Sequence, residues 1–257
     1  MPIAITREVS RSLGACELSY VDRAPIDVER ASEQHEAYRR ALASLGCNVI
    51  SLAAEHDFPD AVFVEDVAIV LDEFAIVTRP GAPSRAREVA SMAKELARHR
   101  TLKAIEPPGT VDGGDVLVIG HTIFVGESAR TNADGIAQLR AIAGAAGYVV
   151  QPVPIRGCLH LKSAVSEIAD GTVLINRDWV DPGAFAAFHQ IEIDPDEPHA
   201  ANGLRIGDAL IYPASFPRTL DRLKAAGIAP VLVDLSELQK AEGAVTCCSL
   251  VFGGAPR

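Results

Sequence analysis

The chain of 257 residues has little positive charge and few cysteines. Its net charge of −10 argues against a nucleic-acid partner and against an anionic membrane surface. No apolar run approaches the roughly 20 residues that a membrane-spanning helix needs. The five cysteines are an odd number, and no Cys/His spacing resembles a structural zinc site. The N-terminus lacks the basic and apolar segments of a secretory signal, so we expect reduced thiols and a cytoplasmic location.

Low-complexity segments and long linkers are also missing, so the sequence predicts one domain over residues 1–257. What is present is an order of β-hairpin, helix and strand that recurs about every 40 to 50 residues. Four such units follow one another, and the two termini together supply a fifth. The pattern predicts a closed ring of five α/β modules whose hairpin tips meet at a central axis. A doubly wound parallel sheet competes, but the many two-residue turns argue against it.

Four predicted segments bear on function. Residues 62–71 are predicted as the first strand of a hairpin, and residues 84–98 as a helix capped by Ser84. The closing strand is predicted over residues 242–252. Residues 10–29 have no clear period, so they form either a functional lid or a plain surface connection.

Acidic side chains interrupt two of the predicted hairpins. Asp60, Glu65 and Asp66 lie beside or within an apolar run, so they either face solvent or bind a cation in a cavity. Asp112 precedes a pair of glycines that lets the backbone approach closely and would hold the acid in a fixed geometry. A simple turn has the same sequence pattern, so this motif alone leaves both interpretations open.

A histidine and two cysteines complete the set. His160 is flanked by leucines, which is typical of a core histidine as well as of a catalyst. Cys247 and Cys248 are either small buried residues, or one of them is a nucleophile. Alternation along a strand would turn one thiol to the core and the other to a cleft. Thiol, imidazole and carboxylate together suit attack on a cationic sp² carbon such as a guanidinium.

Six segments resemble the dimethylarginine dimethylaminohydrolase family, in order and with similar spacing over almost the whole chain. They are FVED at 63–66, TRPGAPSR at 78–85, DGGDVL at 112–117, RTN at 130–132, LHLKS at 159–163 and TCCS at 246–249. Each segment is short, and their combination is what makes the resemblance specific. It implies the pentein fold, an α/β-propeller of five ββαβ-type modules around a pseudo-five-fold axis.

The resemblance also implies roles for individual residues. Cys247 would be the nucleophile, His160 the acid and base, and Asp112 the carboxylate that orients His160. The choice of Cys247 over Cys248 rests on the resemblance. In the implied substrate complex, Asp66 and Asp60 contact the guanidinium, and Glu65 bonds the α-amino group. Arg85 and Arg130 bind the α-carboxylate. Leu18 would be a lid residue, and Ala241 would offer a backbone contact.

The implied reaction is hydrolysis of Nω-methylated arginines to citrulline and methylamine or dimethylamine, through a covalent thiouronium on the cysteine. The resemblance implies no cofactor and no metal, and zinc on the thiol and imidazole would be inhibitory. The expected partner is the small-molecule substrate, and a homodimer is compatible with the sequence. Alternatives are an arginine deiminase, an amidinotransferase or a non-catalytic binding protein on the same ring. Deiminases are usually longer, and a binding protein would lack the cysteine–histidine pair.

Overall fold

The computed structural model describes residues 1–253 as a succession of short strands and helices. The strands are β1 (Ile3–Arg7), β2 (Asn48–Leu52), β3 (Ala68–Val70), β4 (Phe74–Val77), β5 (Thr101–Ala104), β6 (Val116–Ile119), β7 (Thr122–Glu127), β8 (Val149–Pro154), β9 (Val165–Ala169), β10 (Thr172–Ile175), β11 (His189–Glu192), β12 (Leu204–Ile206), β13 (Ala209–Pro213), β14 (Val231–Val233) and β15 (Leu250–Phe252). The α-helices are α1 (Val28–Ser44), α2 (Val89–Leu96), α3 (Ala133–Gly144), α4 (Leu161–Ala164), α5 (Pro217–Ala225) and α6 (Ser236–Gln239). Short 3-10 helices cover Leu13–Ala15, Val64–Val67, Pro83–Arg85, Gly113–Asp115 and Pro182–Phe185.

The strands form five three-stranded sheets, ordered β3-β4-β5, β6-β7-β8, β9-β10-β11, β12-β13-β14 and β15-β1-β2. In each sheet the middle strand pairs antiparallel with one neighbour and parallel with the other. A helical segment connects every parallel pair. The fifth sheet joins both ends of the chain, since Ile3 lies opposite Phe252. The pentein α/β-propeller of five ββαβ-type modules is therefore confirmed, including the module built from the two termini.

The hairpin tips lie on the outside of the molecule. Gly120, Gly171 and Gly207 turn three hairpins with φ of 56°, 62° and 59°, a conformation that strains any residue with a side chain. All three glycines are exposed, so the prediction that the tips meet at a central axis is wrong. Turns keep polar backbone groups that need water, which favours the surface. The modules meet instead through the first strands of their hairpins, as where β9 contacts β12 and β3 contacts β15, and through the segments that precede the hairpins.

Three predicted elements differ from the structure near these segments. The 3-10 helix Val64–Val67 replaces the first half of the strand predicted over residues 62–71, of which only Ala68–Val70 is a strand. Ser84 does not cap α2, because it lies in its own 3-10 helix and its hydroxyl donates to Glu17 Oε1 at 2.6 Å. Residues 245–248 form a turn, so the closing strand begins only at Leu250. Local β preference is weak enough for contacts between modules to override it.

The hydrophobic core is divided among the modules, where each helix covers its sheet. Around α1, Tyr38 and Leu42 are fully buried and belong to one cluster with Val62, Ile211 and Cys248. This cluster joins the N-terminal helix to the cysteine turn near the other end of the chain. Within residues 1–253, no helix has the length and apolar character needed to cross a membrane.

Candidate active site

A small cavity lies where the segments that precede the hairpins meet. Most of the predicted site residues line it, namely Asp60, Asp66, Arg85, Arg130, His160, Ala241 and Cys247. Glu17, Phe63, Leu159 and Glu242 complete the wall. Asp112 lies behind this wall, and Leu18 and Glu65 are not part of it. The fold thus gathers into one cavity side chains that are far apart in the sequence.

The two adjacent cysteines have different surroundings. Cys247 is half-buried and reaches the cavity, whereas Cys248 is buried in the core beside Tyr38. The predicted division between core and cleft therefore holds, but a turn produces it rather than strand alternation. Burial raises the pKa of Cys247 well above its ordinary value, and Glu65 and Asp66 raise it further. The thiol consequently keeps its proton near neutral pH.

His160 lies between two carboxylates immediately before α4. Its Nε2 is 3.0 Å from Asp112 Oδ2, and its Nδ1 is 3.8 Å from Asp66 Oδ1. Burial by itself lowers the pKa of His160, but the charge of Asp66 and the hydrogen bond to Asp112 outweigh burial and raise that pKa to about 9. The imidazole is therefore positively charged at neutral pH and can donate a proton.

The two glycines after Asp112 make this arrangement possible. A Cβ at Gly114 would lie 2.6 Å from His160 Nδ1 and 2.8 Å from Asp66 Oδ1. No side chain fits in that space, so the predicted close backbone approach is present. Asp112 itself is fully buried, and its Oδ1 accepts a hydrogen bond from the Gly81 N–H at 2.8 Å. That bond leaves Oδ2 for the imidazole.

Asp66 is held in place by a buried arginine. Arg85 donates to Asp66 through Nη1, and its Nε and Nη2 donate to Glu88 Oε2 at 3.0 and 2.8 Å. Burial by itself raises the pKa of Asp66, but the charges of His160 and Arg85 lower it to about 2, so this carboxyl is ionised. Most of the Arg85 guanidinium is thus engaged within the protein, although the resemblance implied that Arg85 contacts the substrate carboxylate.

Arg130 is less engaged at the cavity. Its Nη1 lies 3.6 Å from Asp112 Oδ2, and its Nη2 lies 3.4 Å from Ser19 Oγ. Both contacts are long, so N–H groups of the Arg130 guanidinium remain able to donate hydrogen bonds to a substrate carboxylate. The implied role of Arg130 in binding the substrate carboxylate stays a prediction.

Glu65 does not face this cavity. Its oxygens accept hydrogen bonds from Lys162 Nζ at 2.5 Å and from Thr246 Oγ1 at 2.8 Å, and it lines a separate cleft with both residues. Because these two donors occupy its oxygens, the implied contact with a substrate α-amino group does not fit the geometry. Glu65 instead acts at a distance, through the charge that raises the pKa of Cys247.

Leu18 lies in the irregular segment that runs along the edge of the cavity. Its side chain is half-buried and packs against the core cluster that includes Ala241. The preceding residue, Glu17, enters the cavity wall, and its N–H donates to Asp60 Oδ2 at 3.2 Å. A lid function for Leu18 stays a prediction.

Asp115, the acid on the other side of the glycine pair, positions the histidine segment, a role that sequence reasoning did not assign to it. Asp115 is fully buried, and its Oδ1 accepts from the Leu161 N–H at 3.0 Å. Its Oδ2 accepts from Ser128 Oγ at 2.6 Å and Thr131 Oγ1 at 2.7 Å. Burial raises the pKa of Asp115 to about 6. The available signal was its place directly after the glycine pair.

The cluster of Asp66, Asp112 and His160 could offer ligand atoms to a metal ion, but its charge is already balanced. Asp66, Asp112 and His160 bring ligand atoms to within 4.8 Å of one another. However, both carboxylates already face a cationic imidazole, and Asp66 also faces Arg85. The positive charge that a metal would supply at this cluster is therefore already present.

Known proteins are similar to this chain in sequence and in fold. Residues 20–178 match the family model described as N,N dimethylarginine dimethylhydrolase, eukaryotic. The N(G),N(G)-dimethylarginine dimethylaminohydrolase of Streptomyces coelicolor is 42% identical over 249 residues, which covers 96% of this chain and 95% of that protein. A Pseudomonas aeruginosa dimethylarginine dimethylaminohydrolase mutant in complex with citrulline has a TM-score of 0.92 and 36% identity, covering 97% of this chain and 98% of that one.

A further structure of a dimethylarginine dimethylaminohydrolase, an adduct with S-methyl-L-thiocitrulline, has the same TM-score, identity and coverage. The similarity in sequence and in fold thus extends over nearly the whole length of both proteins. The chain belongs to the dimethylarginine dimethylaminohydrolase family.

Proposed function

We propose that the protein hydrolyses Nω-methylated arginines to citrulline and methylamine or dimethylamine. The observation that supports this most strongly is the buried His160–Asp112 pair, whose imidazole lines the same cavity as the Cys247 thiol. The family relatives solved with citrulline and with S-methyl-L-thiocitrulline support a substrate with the arginine side-chain skeleton. The site draws on several modules, which supports our proposal that the chain works as one catalytic domain.

The acidic side of the cavity would bind the cationic end of the substrate. Asp66 is ionised and Asp60 lies in the same wall, so a guanidinium beside them would be paired with negative charge. Arg130 would bind the α-carboxylate at the other end. A bound guanidinium also adds positive charge next to Cys247, which lowers the pKa of the thiol and favours the thiolate.

The first half of the reaction transfers the amidine carbon to sulfur. The proton of Cys247 leaves to solvent, because His160 is already protonated. The thiolate then forms a C–S bond to the guanidinium carbon, and His160 donates its proton to the departing nitrogen as the C–N bond breaks. The products of this half are the free amine and a cationic thiouronium on the sulfur.

The second half consumes water. Neutral His160 takes a proton from a water molecule, whose oxygen forms a C–O bond to the thiouronium carbon. The C–S bond then breaks, the hydroxyl proton is lost to form the carbonyl of citrulline, and the thiolate is regenerated. Asp112 keeps the imidazole oriented and stabilises its charged form in both halves.

The adjacent cysteines provide a matched test of the nucleophile. We expect Cys247→Ser to abolish release of dimethylamine from asymmetric dimethylarginine while substrate binding persists. Cys248→Ala should retain turnover, because Cys248 packs in the core and does not line the cavity. Citrulline and amine production and isothermal titration measure the two properties. Near-wild-type turnover by Cys247→Ser would overturn the assignment.

The substrate class needs a separate comparison. We expect citrulline release from monomethylarginine and asymmetric dimethylarginine to exceed release from unmethylated arginine. A faster reaction with arginine, accompanied by ammonia, would favour a deiminase instead. Amidine transfer to an added amine without citrulline formation would favour an amidinotransferase.

A further inference from the structure

Glu242 has an unusual backbone conformation for its residue type. Within residues 1–253 it is the one residue other than glycine with positive φ, at 58°. Its N–H donates to Gln239 O at 3.1 Å, and the next N–H, of Gly243, donates to Leu238 O at 3.0 Å. This pair of bonds is the Schellman motif that ends α6, in which the left-handed position is usually glycine. A glutamate in this conformation is strained, so contacts of its side chain must offset the strain.

The Glu242 carboxylate binds three consecutive backbone N–H groups of the irregular segment. Its Oε2 accepts from Ser19 at 2.9 Å, and its Oε1 accepts from Tyr20 and, at 2.9 Å, from Val21. Hydrogen bonds to a charged acceptor are stronger than those between neutral groups. These three bonds connect residues more than 200 positions apart, and they run directly along the cavity edge.

The irregular segment has few other attachments at this point. Besides those to Glu242, the hydrogen bonds that hold residues 17–21 are the Glu17 N–H to Asp60 Oδ2 at 3.2 Å, Ser84 Oγ to Glu17 Oε1 at 2.6 Å and Arg130 Nη2 to Ser19 Oγ at 3.4 Å. Two of them hold Glu17, and the third, to Ser19, is long. Tyr20 is 47% exposed, so packing does little to hold it down. Glu242 itself lines the catalytic cavity and also an adjoining cavity that includes Tyr20 and Val21. A movement of the irregular segment away from Glu242 would therefore change the shape of both cavities.

We propose that Glu242 is a positioning residue that holds residues 17–21 closed over the edge of the catalytic cavity. The left-handed conformation aims its carboxylate at the three N–H groups, and the strain persists because those bonds offset it. Closure keeps Leu18 and Ser19 near the wall that would bind the amino-acid end of the substrate. The kinetic part of this inference rests on the proposed function, whereas the structural part does not.

Glu242→Gly separates this role from a merely structural one. Glycine suits positive φ, so the helix end should persist and the midpoint of thermal unfolding should not fall. Amide hydrogen exchange at residues 19–21 should become at least roughly tenfold faster, while exchange in the sheets is unchanged. Asp22→Asn removes one negative charge from the exposed part of the same segment and serves as the control, with no change expected.

Steady-state kinetics with asymmetric dimethylarginine adds a second readout. We expect Glu242→Gly to raise KM roughly tenfold with kcat within about threefold of wild type, and Glu242→Gln, which keeps an acceptor oxygen, to fall between the two. Unchanged exchange at residues 19–21, a lower unfolding midpoint, or a loss of kcat at constant KM would each overturn the proposal. If the wild-type protein turns over no methylated arginine, the proposed function fails, and the exchange experiment still decides the role of Glu242.

Discussion

At the scale of single residues, the site is an arrangement of opposed charges. Asp66 and Asp112 hold the His160 imidazole in its cationic form, while Glu65 and Asp66 disfavour a thiolate at Cys247. The resting pair is thus a neutral thiol and an imidazolium. Because the pKa of His160 is raised on folding, its protonation stabilises the fold below pH 6.5, and this contribution is lost as the pH rises towards about 9.

The same shift predicts the alkaline limit of activity. The leaving amine needs a proton from His160, so kcat/KM should decline as the pH rises through about 9. Asp112→Asn removes the negative partner of the imidazole, which should move this decline to lower pH and reduce kcat by roughly a hundredfold. Profiles of kcat/KM against pH measure both effects. Asp134→Asn, on the exposed first turn of α3, is the control, and an unmoved alkaline limb in Asp112→Asn would contradict the argument.

At the scale of elements, short turns and 3-10 helices carry the reactive groups, and regular strands carry none of the three catalytic candidates. Asp112 immediately precedes the 3-10 helix Gly113–Asp115, His160 precedes α4, and Cys247 lies in a turn before β15. Hairpins and crossover helices follow local sequence pattern, so the recurring order of hairpin, helix and strand could be predicted. Residues 62–67 and 242–249 read as strands because they are apolar, yet contacts between modules fix their conformation.

Two glycine-to-alanine changes test how closely the elements approach. Gly114→Ala would place its Cβ 2.6 Å from His160 Nδ1, so we expect kcat to fall by roughly a hundredfold and stability by about 1–3 kcal/mol. Gly144→Ala, at the exposed end of α3, meets nothing within 4 Å and should leave activity unchanged and stabilise the fold by up to about 1 kcal/mol. Denaturant unfolding and steady-state kinetics measure both variants. Equal effects at the two positions would show that contact with His160 is not the cause.

At the scale of the whole molecule, the active site depends on closure of the ring. The pairing of β1 with β15 brings the N-terminal module against the cysteine turn. Tyr38 of α1 reinforces this closure, because its buried hydroxyl lies 2.7 Å from Val245 O and 2.6 Å from Ser249 Oγ. One tyrosine thus fixes the turn on both sides of the two cysteines.

Removal of that hydroxyl should weaken the closed ring. Tyr38→Phe leaves buried polar groups without their partner, so we expect the free energy of unfolding to fall by about 1–3 kcal/mol. Tyr148→Phe is the matched change, because its hydroxyl bonds the exposed Glu73, and it should cost less than about 0.5 kcal/mol. Urea unfolding of both variants measures the difference. An equal loss in the two would argue against a special role for Tyr38 in closure.

The sequence by itself determined the five repeated modules, the fifth module from the two termini and the motifs that contain Cys247, His160 and Asp112. Hydrophobic period and turn residues act over a few neighbouring positions, so these features can be predicted from the order of residues alone. Only the tertiary structure decided that Glu65 pairs with Lys162, that Arg85 serves Asp66, that Asp115 fixes the histidine segment and that Glu242 holds residues 17–21. Two of these bonds, Glu65 to Lys162 and Asp115 to Leu161, join residues from different modules, and burial and charge set the strength of all four once the ring has closed. No local pattern encodes them.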